Sequence, residues 1–116
     1  MAVSSDGFLQ LVGQLEEVQR LDHGRYTQFL VGAHGFGYLW PATQTVGLKQ
    51  PLGEQIALVA ERPDVFEVQF TAGSFGWVVV HLARIERDEL AELVLEAWRL
   101  TAPAELVGQR GGRLPV

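Results

Sequence analysis

Helical spacing of apolar residues marks three segments of the chain. The first segment follows a run of capping residues and predicts a helix over about residues 6–19. The second begins at Pro51, whose missing N–H costs nothing in the first turn of a helix, and the third begins at Asp88 and stops at Pro103. The predicted apolar faces consist of Phe8, Leu11, Val12 and Leu15, then Leu52, Ile56, Leu58 and Val59, and then Leu90, Leu93, Val94, Ala97 and Trp98.

Five shorter segments have the apolar alternation, or the β-branched and aromatic content, that is typical of strands. They are residues 26–31, 36–40, 45–49, 66–70 and 77–82. The loop Gly32-Ala33-His34-Gly35 joins the first two as a hairpin, and Gly35 and Gly37 indicate a bulge or a close packing approach there. Because a helix lies at each end and another lies between two groups of strands, we expect an α+β fold with a mainly antiparallel sheet.

No repeat, low-complexity tract or linker divides the chain into two domains. We therefore expect one domain over residues 1–107 and a flexible tail over residues 108–116, which carries Gly111 and Gly112. The apolar stretches are far shorter than the roughly 20 residues that span a bilayer, so we expect no membrane partner.

The composition argues against several kinds of chemical site. The chain contains no cysteine, which excludes zinc–thiolate sites, iron–sulfur clusters and thiol nucleophiles and fits a cytoplasmic location. The three histidines, His23, His34 and His81, lack the paired spacing of metal ligands, and the carboxylates lie on predicted helix surfaces and caps. We therefore expect no metal, no cofactor and no enzymatic activity.

Three blocks of sequence between about residues 26 and 106 are informative in combination. They are Phe29-Leu30-Val31-Gly32-Ala33-His34-Gly35-Phe36-Gly37-Tyr38, then Leu48-Lys49-Gln50-Pro51 with Arg62-Pro63-Asp64-Val65-Phe66, and then Gly76-Trp77-Val78-Val79-Val80-His81-Leu82 with Asp88-Glu89-Leu90 and Ala97-Trp98-Arg99-Leu100-Thr101-Ala102-Pro103. Together they resemble the YjbR-like (MmcQ/YjbR) family of small bacterial proteins, and the third block is the most specific of the three.

The resemblance implies an α+β fold with about five antiparallel strands and flanking helices, similar in shape to secretion-chaperone-like folds. It also implies a double-wing motif and DNA as a partner. The sequence departs from the family pattern at two places. His34 stands where the family usually has a lysine, and Ala104 and Glu105 stand where it often has a basic pair.

The overall charge constrains how DNA would be bound. Nine Lys and Arg face fourteen Asp and Glu, for a formal net charge of -5, so binding to phosphate requires a local basic patch. The candidate nucleic-acid-binding residues are Arg20, Arg25, Lys49, Arg84 and Arg87. Most of them flank predicted turns and would form a rim if those turns met at one end of the sheet. The alternative is that they form surface salt bridges with neighbouring acids.

A second hypothesis is a module that binds a protein or a small ligand on the same fold. Its candidate pocket residues are Trp40 and Trp77, which lie at strand ends, and His81 in the last strand. Packing within the core or at its edge is the alternative role for the two tryptophans. A homodimer formed along an exposed edge strand is a further possibility.

Overall fold

A computed structural model describes residues 2–116 as four α-helices and six strands. In chain order these are α1 (Ser5–Gly13), β1 (Gln19–Asp22), β2 (Thr27–Val31), β3 (His34–Trp40), β4 (Thr45–Pro51), α2 (Leu52–Glu61), β5 (Phe66–Ala72), β6 (Phe75–His81), α3 (Arg87–Arg99) and α4 (Ala104–Arg110). The strands form one sheet in the order β1-β2-β3-β4-β6-β5, and every neighbouring pair is antiparallel. The expected α+β fold is therefore confirmed, with six strands where about five were expected.

The core lies between one face of the sheet and the helices. Helix α3 packs against β3 and β4, α2 packs against β5 and β6, and α1 packs against α3. Residues paired across the ladder share a face, so the pairs Val46–Val80 and Leu48–Val78 form the centre of the buried sheet surface. Trp98 of α3 is fully buried against this surface. Among residues 2–116, no helix combines the length and the apolar content that crossing a membrane requires.

Helix α1 is shorter than predicted, and a strand follows it that the sequence did not indicate. The helix ends at Gly13, and the chain then turns through Glu17, which has a φ of 57°. The apolar pattern continues past this point because Leu15 is still buried in the core. All four residues of β1 are exposed, so this strand has no apolar alternation by which it could be recognised.

Helix α2 begins after Pro51, as predicted, and Leu58 and Val59 of its predicted apolar face are half-buried against the core, but Ile56 is not. Ile56, expected on the buried face, is 60 % exposed, whereas the neighbouring Gln55 is 2 % exposed. Gln55 is buried because its Nε2 donates hydrogen bonds to the carbonyl oxygens of Phe70 and Trp77, which lie on two facing strands. Hydrogen bonding thus offsets the cost of burying this polar side chain.

Strand β5 does not follow the half-buried alternation predicted for it. Phe66 is buried, but Val68 is 55 % exposed and Phe70 is 40 % exposed. The register with β6 shifts between Val68 and Phe70, which transfers Phe70 to the opposite face of the sheet. Because β5 is an edge strand within residues 2–116, Val68 has neighbouring strand side chains on one flank only.

The bulge indicated by Gly35 and Gly37 is present between β2 and β3. Phe29 pairs with Gly37 and Leu30 pairs with Gly35, which leaves Phe36 as the extra residue. The side chain of Phe36 is fully buried in the core. The bulge therefore directs one additional aromatic ring into the core.

The C-terminal part of the chain packs onto the loop after α1. Helix α4 continues to Arg110, whose guanidinium is buried and donates hydrogen bonds to the Gln14 carbonyl and the Glu16 carboxylate. The first three residues of the expected tail, 108–110, thus lie in a helix. That residues 108–116 are flexible stays a prediction.

Candidate functional site

The face of the sheet opposite the helices carries a cluster of aromatic side chains. Tyr38 and Trp40 alternate with the buried Leu39, and Trp77 alternates with the buried Val78, so these three rings lie on the helix-free side. We call the cluster the aromatic face. It consists of Tyr26, Tyr38, Trp40, Phe70 and Trp77.

The rings of the aromatic face form a continuous series across the sheet. The Tyr38 and Trp40 ring centroids are 5.6 Å apart and their planes differ by 21°. Tyr38 lies 5.5 Å from Trp77, and Trp77 stacks on Phe70 at 5.2 Å with a plane difference of 20°. Tyr26 extends the series at 5.9 Å from Tyr38. These separations lie in the range of favourable aromatic pairs, so the rings stabilise one another without a covering helix.

Gly47 of β4 makes room for this series. A Cβ at Gly47 would lie 3.1 Å from Cη2 of Trp40 and 3.0 Å from Cδ of Gln69. Gln69 is the extra residue at the β5 register shift, and its amide lies over Gly47. Its Oε1 is buried and finds no hydrogen-bond donor among residues 2–116. The aromatic face therefore holds a buried acceptor among its rings.

Two cations border the aromatic face, and neither forms an ion pair within residues 2–116. Lys49 is paired with Trp77 across the ladder, and its Nζ lies 4.1 Å from the centroid of the Phe75 ring. Burial lowers the pKa of Lys49. Arg25 lies at the other end of the face, beside Trp40. There it lines a cleft of about 520 Å³ together with Gly24, Trp40, Pro41, Ala42 and Thr43.

The acidic residues are concentrated away from the sheet. Of the fourteen Asp and Glu, Asp22 and Glu67 lie on strands, and the others lie on helices and in loops. Asp22 pairs with Thr27 on the helix side of the sheet, and its Oδ1 accepts a hydrogen bond from the Gly24 backbone N–H. Glu67 hydrogen-bonds Nε2 of His81. The negative charge of the chain thus belongs mostly to the helix layer.

The five predicted nucleic-acid-binding residues lie in separate places. Besides Lys49 and Arg25, Arg20 packs over the Phe29 ring at 5.9 Å. Arg84 donates a hydrogen bond to the Asp64 carbonyl at 2.7 Å, and Arg87 donates to the Gly7 carbonyl at 3.4 Å. These contacts hold each cation against a different part of the fold. Their role in binding nucleic acid stays a prediction.

The three predicted pocket residues share one face of the sheet. Trp40 pairs with Thr45, and Thr45 pairs with His81, so both lie on the same side as Trp77. The sequence interpretation missed Tyr26, Tyr38 and Phe70. Tyr38 was detectable from its alternation with the apolar residues of β3, but the face of Phe70 depends on the β5 register shift. Among residues 2–116, no three His, Asp or Glu side chains are placed to hold a metal ion.

Comparisons with known proteins agree with the fold. The crystal structure of the Deinococcus radiodurans protein DR2400, which has a DUF419 domain, matches with a TM-score of 0.74 at 16% identity, over 85% of this chain and 78% of that one. Uncharacterized proteins of Mycobacterium tuberculosis and Mycobacterium bovis are 37% identical over 68 residues. This match covers 58% of the chain and 53% of each relative, or about half the relatives' length. The YjbR family model matches residues 9–100, and the chain therefore belongs to the YjbR family.

Proposed function

We propose that the protein is a non-catalytic module that binds single-stranded nucleic acid on its aromatic face. The observation that carries this proposal is the series of rings on the helix-free side of the sheet, in which Tyr26, Tyr38 and Trp40 are half-buried and Trp77 is buried. The series lies between Arg25 and Lys49, which form no ion pair within residues 2–116. Sheet surfaces that bind single strands use the same combination, because bases stack on aromatic rings and cations contact phosphates. The DNA partner implied by the family resemblance supports the same proposal, and a cysteine-free chain suits the cytoplasm, where we place this activity.

The net charge of -5 is compatible with this proposal because of where the acids lie. An α-helix with its side chains is about 10 Å across, so acids on the outer surface of the helix layer lie at least that far from the aromatic face. At physiological ionic strength the Debye length is about 8 Å, which screens most of their repulsion. On the aromatic face itself, the nearby acid is Glu67, and His81 hydrogen-bonds it.

The same geometry favours a single strand over a duplex. Bases in a duplex are already stacked on one another and would have to open to reach the rings, whereas a single strand offers its bases directly. Two phosphate contacts would give a shallow salt dependence, with a slope of log affinity on log salt of about -1.4 for a single strand.

The proposal is tested by titrating a fluorescently labelled oligothymidine of about 12 nucleotides at salt concentrations from about 50 to 200 mM, with fluorescence anisotropy as the readout. We expect binding with the shallow salt slope above, and weaker binding to a duplex of the same length. Trp40→Ala should lower the affinity about tenfold, since loss of one stacked base costs roughly 1–3 kcal/mol. Arg25→Ala should weaken binding and flatten the salt slope.

Two control variants are matched to these. Ile56→Ala removes an exposed apolar side chain from the helix layer, and Arg99→Ala removes an exposed cation from α3. Both should leave the affinity unchanged. Absence of binding at low salt, or an equal loss in the control variants, would contradict the proposal.

The cleft beside Trp40 favours one second candidate, a module that binds a small planar anion. Its volume of about 520 Å³ suits a small ligand. A ring could stack on Trp40 while the guanidinium of Arg25 contacts the anionic group. A thermal-shift screen of aromatic carboxylates and mononucleotides tests this candidate. Stabilisation by such compounds, with no binding of oligothymidine, would favour it over the first.

A further inference from the structure

Exposed apolar side chains concentrate beside one edge of the sheet. Among residues 2–116, the large hydrophobic residues that are exposed are Leu21, Ile56, Val68, Phe70, Leu114 and Val116. Val68 and Phe70 lie on edge strand β5, one on each face of the sheet, and Ile56 lies on α2, which packs against β5 and β6. Three of these six residues therefore lie on β5 or on the helix that packs against it.

The two edges of the sheet differ in how they are protected. Edge strand β1 has four residues and carries the charges of Arg20 and Asp22. Short length and charge are common means of preventing an edge from pairing with another strand. Edge strand β5 has seven residues, and Glu67 is its one charged side chain. Its protection is limited to Glu67 and to the register shift after Val68.

We propose that β5 pairs in an antiparallel manner with β5 of a second copy of this chain, around a two-fold axis. A two-fold interface uses the same surface on both copies, and an antiparallel strand pair satisfies this requirement. Pairing centred on Val68 brings the two Val68 side chains together on the helix side. It also places each Glu67 opposite Gln69 of the second copy. The two Glu67 carboxylates lie diagonally across the join, and each is hydrogen-bonded to His81 of its own chain.

Such a dimer joins the two sheets into one and removes both β5 edges from solvent. Phe70, which stacks on Trp77, lies two residues from the axis on the helix-free side, so the aromatic faces of the two copies would lie on the same side of the joined sheet. The dimer rests on the apolar edge of β5 and does not depend on the proposed binding of nucleic acid.

The test is the molar mass of the chain by size-exclusion chromatography with light scattering, over about a hundredfold range of concentration to detect a dissociating dimer. We expect a mass that approaches twice the 12.8 kDa of one chain as the concentration rises. Val68→Lys should shift the mass to that of the monomer at every concentration, because it places two cations together at the axis. Hydrogen exchange should slow in β5 of the unmodified chain as the dimer forms.

Leu21→Lys is the matched control, since it adds the same charge at an exposed apolar position of the opposite edge. It should leave the dimer intact. Far-UV circular dichroism of both variants establishes that they are folded. A wild-type chain that stays monomeric throughout, a dimer that survives Val68→Lys, or dissociation by Leu21→Lys would each overturn the proposal. Because mass is measured without nucleic acid, its outcome is independent of the oligonucleotide titration.

Discussion

The side-chain amide of Gln55 occupies the space above Gly76 in which any other residue would carry its Cβ. A Cβ built on Gly76 would lie 2.5 Å from Cβ, 2.6 Å from Cδ and 2.7 Å from Oε1 of Gln55. From this position Nε2 donates to the Phe70 carbonyl at 3.0 Å and to the Trp77 carbonyl at 2.9 Å. These two hydrogen bonds hold α2 against β5 and β6 at Phe70 and Trp77, which both belong to the aromatic face.

Gly76→Ala should therefore destabilise the protein. The added methyl group cannot be accommodated unless Gln55 moves, and its movement would leave the carbonyls of Phe70 and Trp77 without their donor. Overpacking of a core typically costs about 1–3 kcal/mol, and each unsatisfied buried carbonyl adds about 1–3 kcal/mol. We expect the free energy of unfolding, measured by urea denaturation with tryptophan fluorescence, to fall by at least about 2 kcal/mol.

Gly53→Ala provides the matched control in the same region. Gly53 lies in the first turn of α2, and apart from its chain neighbours and the backbone of its own helix, a Cβ there would have no atom of residues 2–116 within 4 Å. Because alanine is a better helix former than glycine, this variant should be unchanged or up to about 1 kcal/mol more stable. Equal effects of the two substitutions would show that the Gln55 contact does not limit the space at Gly76.

The contact between Glu16 and Arg110 predicts a specific dependence of stability on pH. The hydrogen bond from Arg110 lowers the pKa of Glu16 below its ordinary value of 4.5. A carboxyl group with a lowered pKa in the folded state adds stability above the unfolded-state pKa and loses it as pH falls through the folded-state value. Glu16 is 40% exposed, so screening by solvent keeps this contribution below about 1 kcal/mol.

Glu16→Gln should accordingly be less stable than the wild type at neutral pH, and the difference should shrink as the pH falls below 4.5. Urea denaturation at a series of pH values measures this difference. In an Arg110→Met background, Glu16→Gln should have a much smaller effect, because its hydrogen-bonding partner is already absent and the remaining cation, Arg113, is 3.9 Å away and exposed. A difference that stays constant from neutral to acid pH would argue against the pairing.

The sequence was sufficient to predict those elements that carry a clear apolar signal. Helix α3 has apolar residues at helical spacing, and β6 has a continuous apolar and β-branched run that suits a strand between two neighbours. Both elements are present in the structure. Strand β1 lacked this signal because it is exposed along its whole length. Gln55 is buried and the neighbouring Ile56 is exposed, the reverse of what their polarity predicts. The reason is that the Gln55 side chain donates hydrogen bonds to the carbonyls of two facing strands, which the sequence of α2 alone does not reveal.

The candidate site was harder to predict than the fold, for a different physical reason. Alternation divides a strand into two faces, but it does not reveal which face the helices cover. Trp40 and Trp77 were therefore expected at strand ends near a pocket, with no indication that Tyr38 connects them. Phe70 joins the series through a register shift, which depends on pairing with β6 and has no signature in β5 alone.

Gly47→Ala tests whether Gly47 sets the spacing of the rings. The new methyl group would lie 3.1 Å from Cη2 of Trp40 and closer still to the amide of Gln69. Gln69 is flexible and can move, so we expect a stability loss below about 1 kcal/mol. The near-UV circular dichroism and the tryptophan emission should change, because the Trp40 ring is displaced. Combining Gly47→Ala with Gln69→Ala should restore part of the original spectrum, and an unchanged spectrum in the single variant would exclude this role for Gly47.

Trp98→Phe should lower the free energy of unfolding without changing the affinity for oligothymidine. Trp98 is fully buried on the helix side, and its Nε1 donates a hydrogen bond to the Glu16 carbonyl at 3.0 Å, which ties α3 to the loop after α1. Loss of this donor and of part of the ring should lower the free energy of unfolding by about 1–3 kcal/mol. Because Trp98 lies across the sheet from the aromatic face, the affinity for oligothymidine should stay unchanged in the folded variant. If Trp98→Phe weakens binding as much as Trp40→Ala does, the effect of Trp40→Ala would reflect stability and not stacking on the aromatic face.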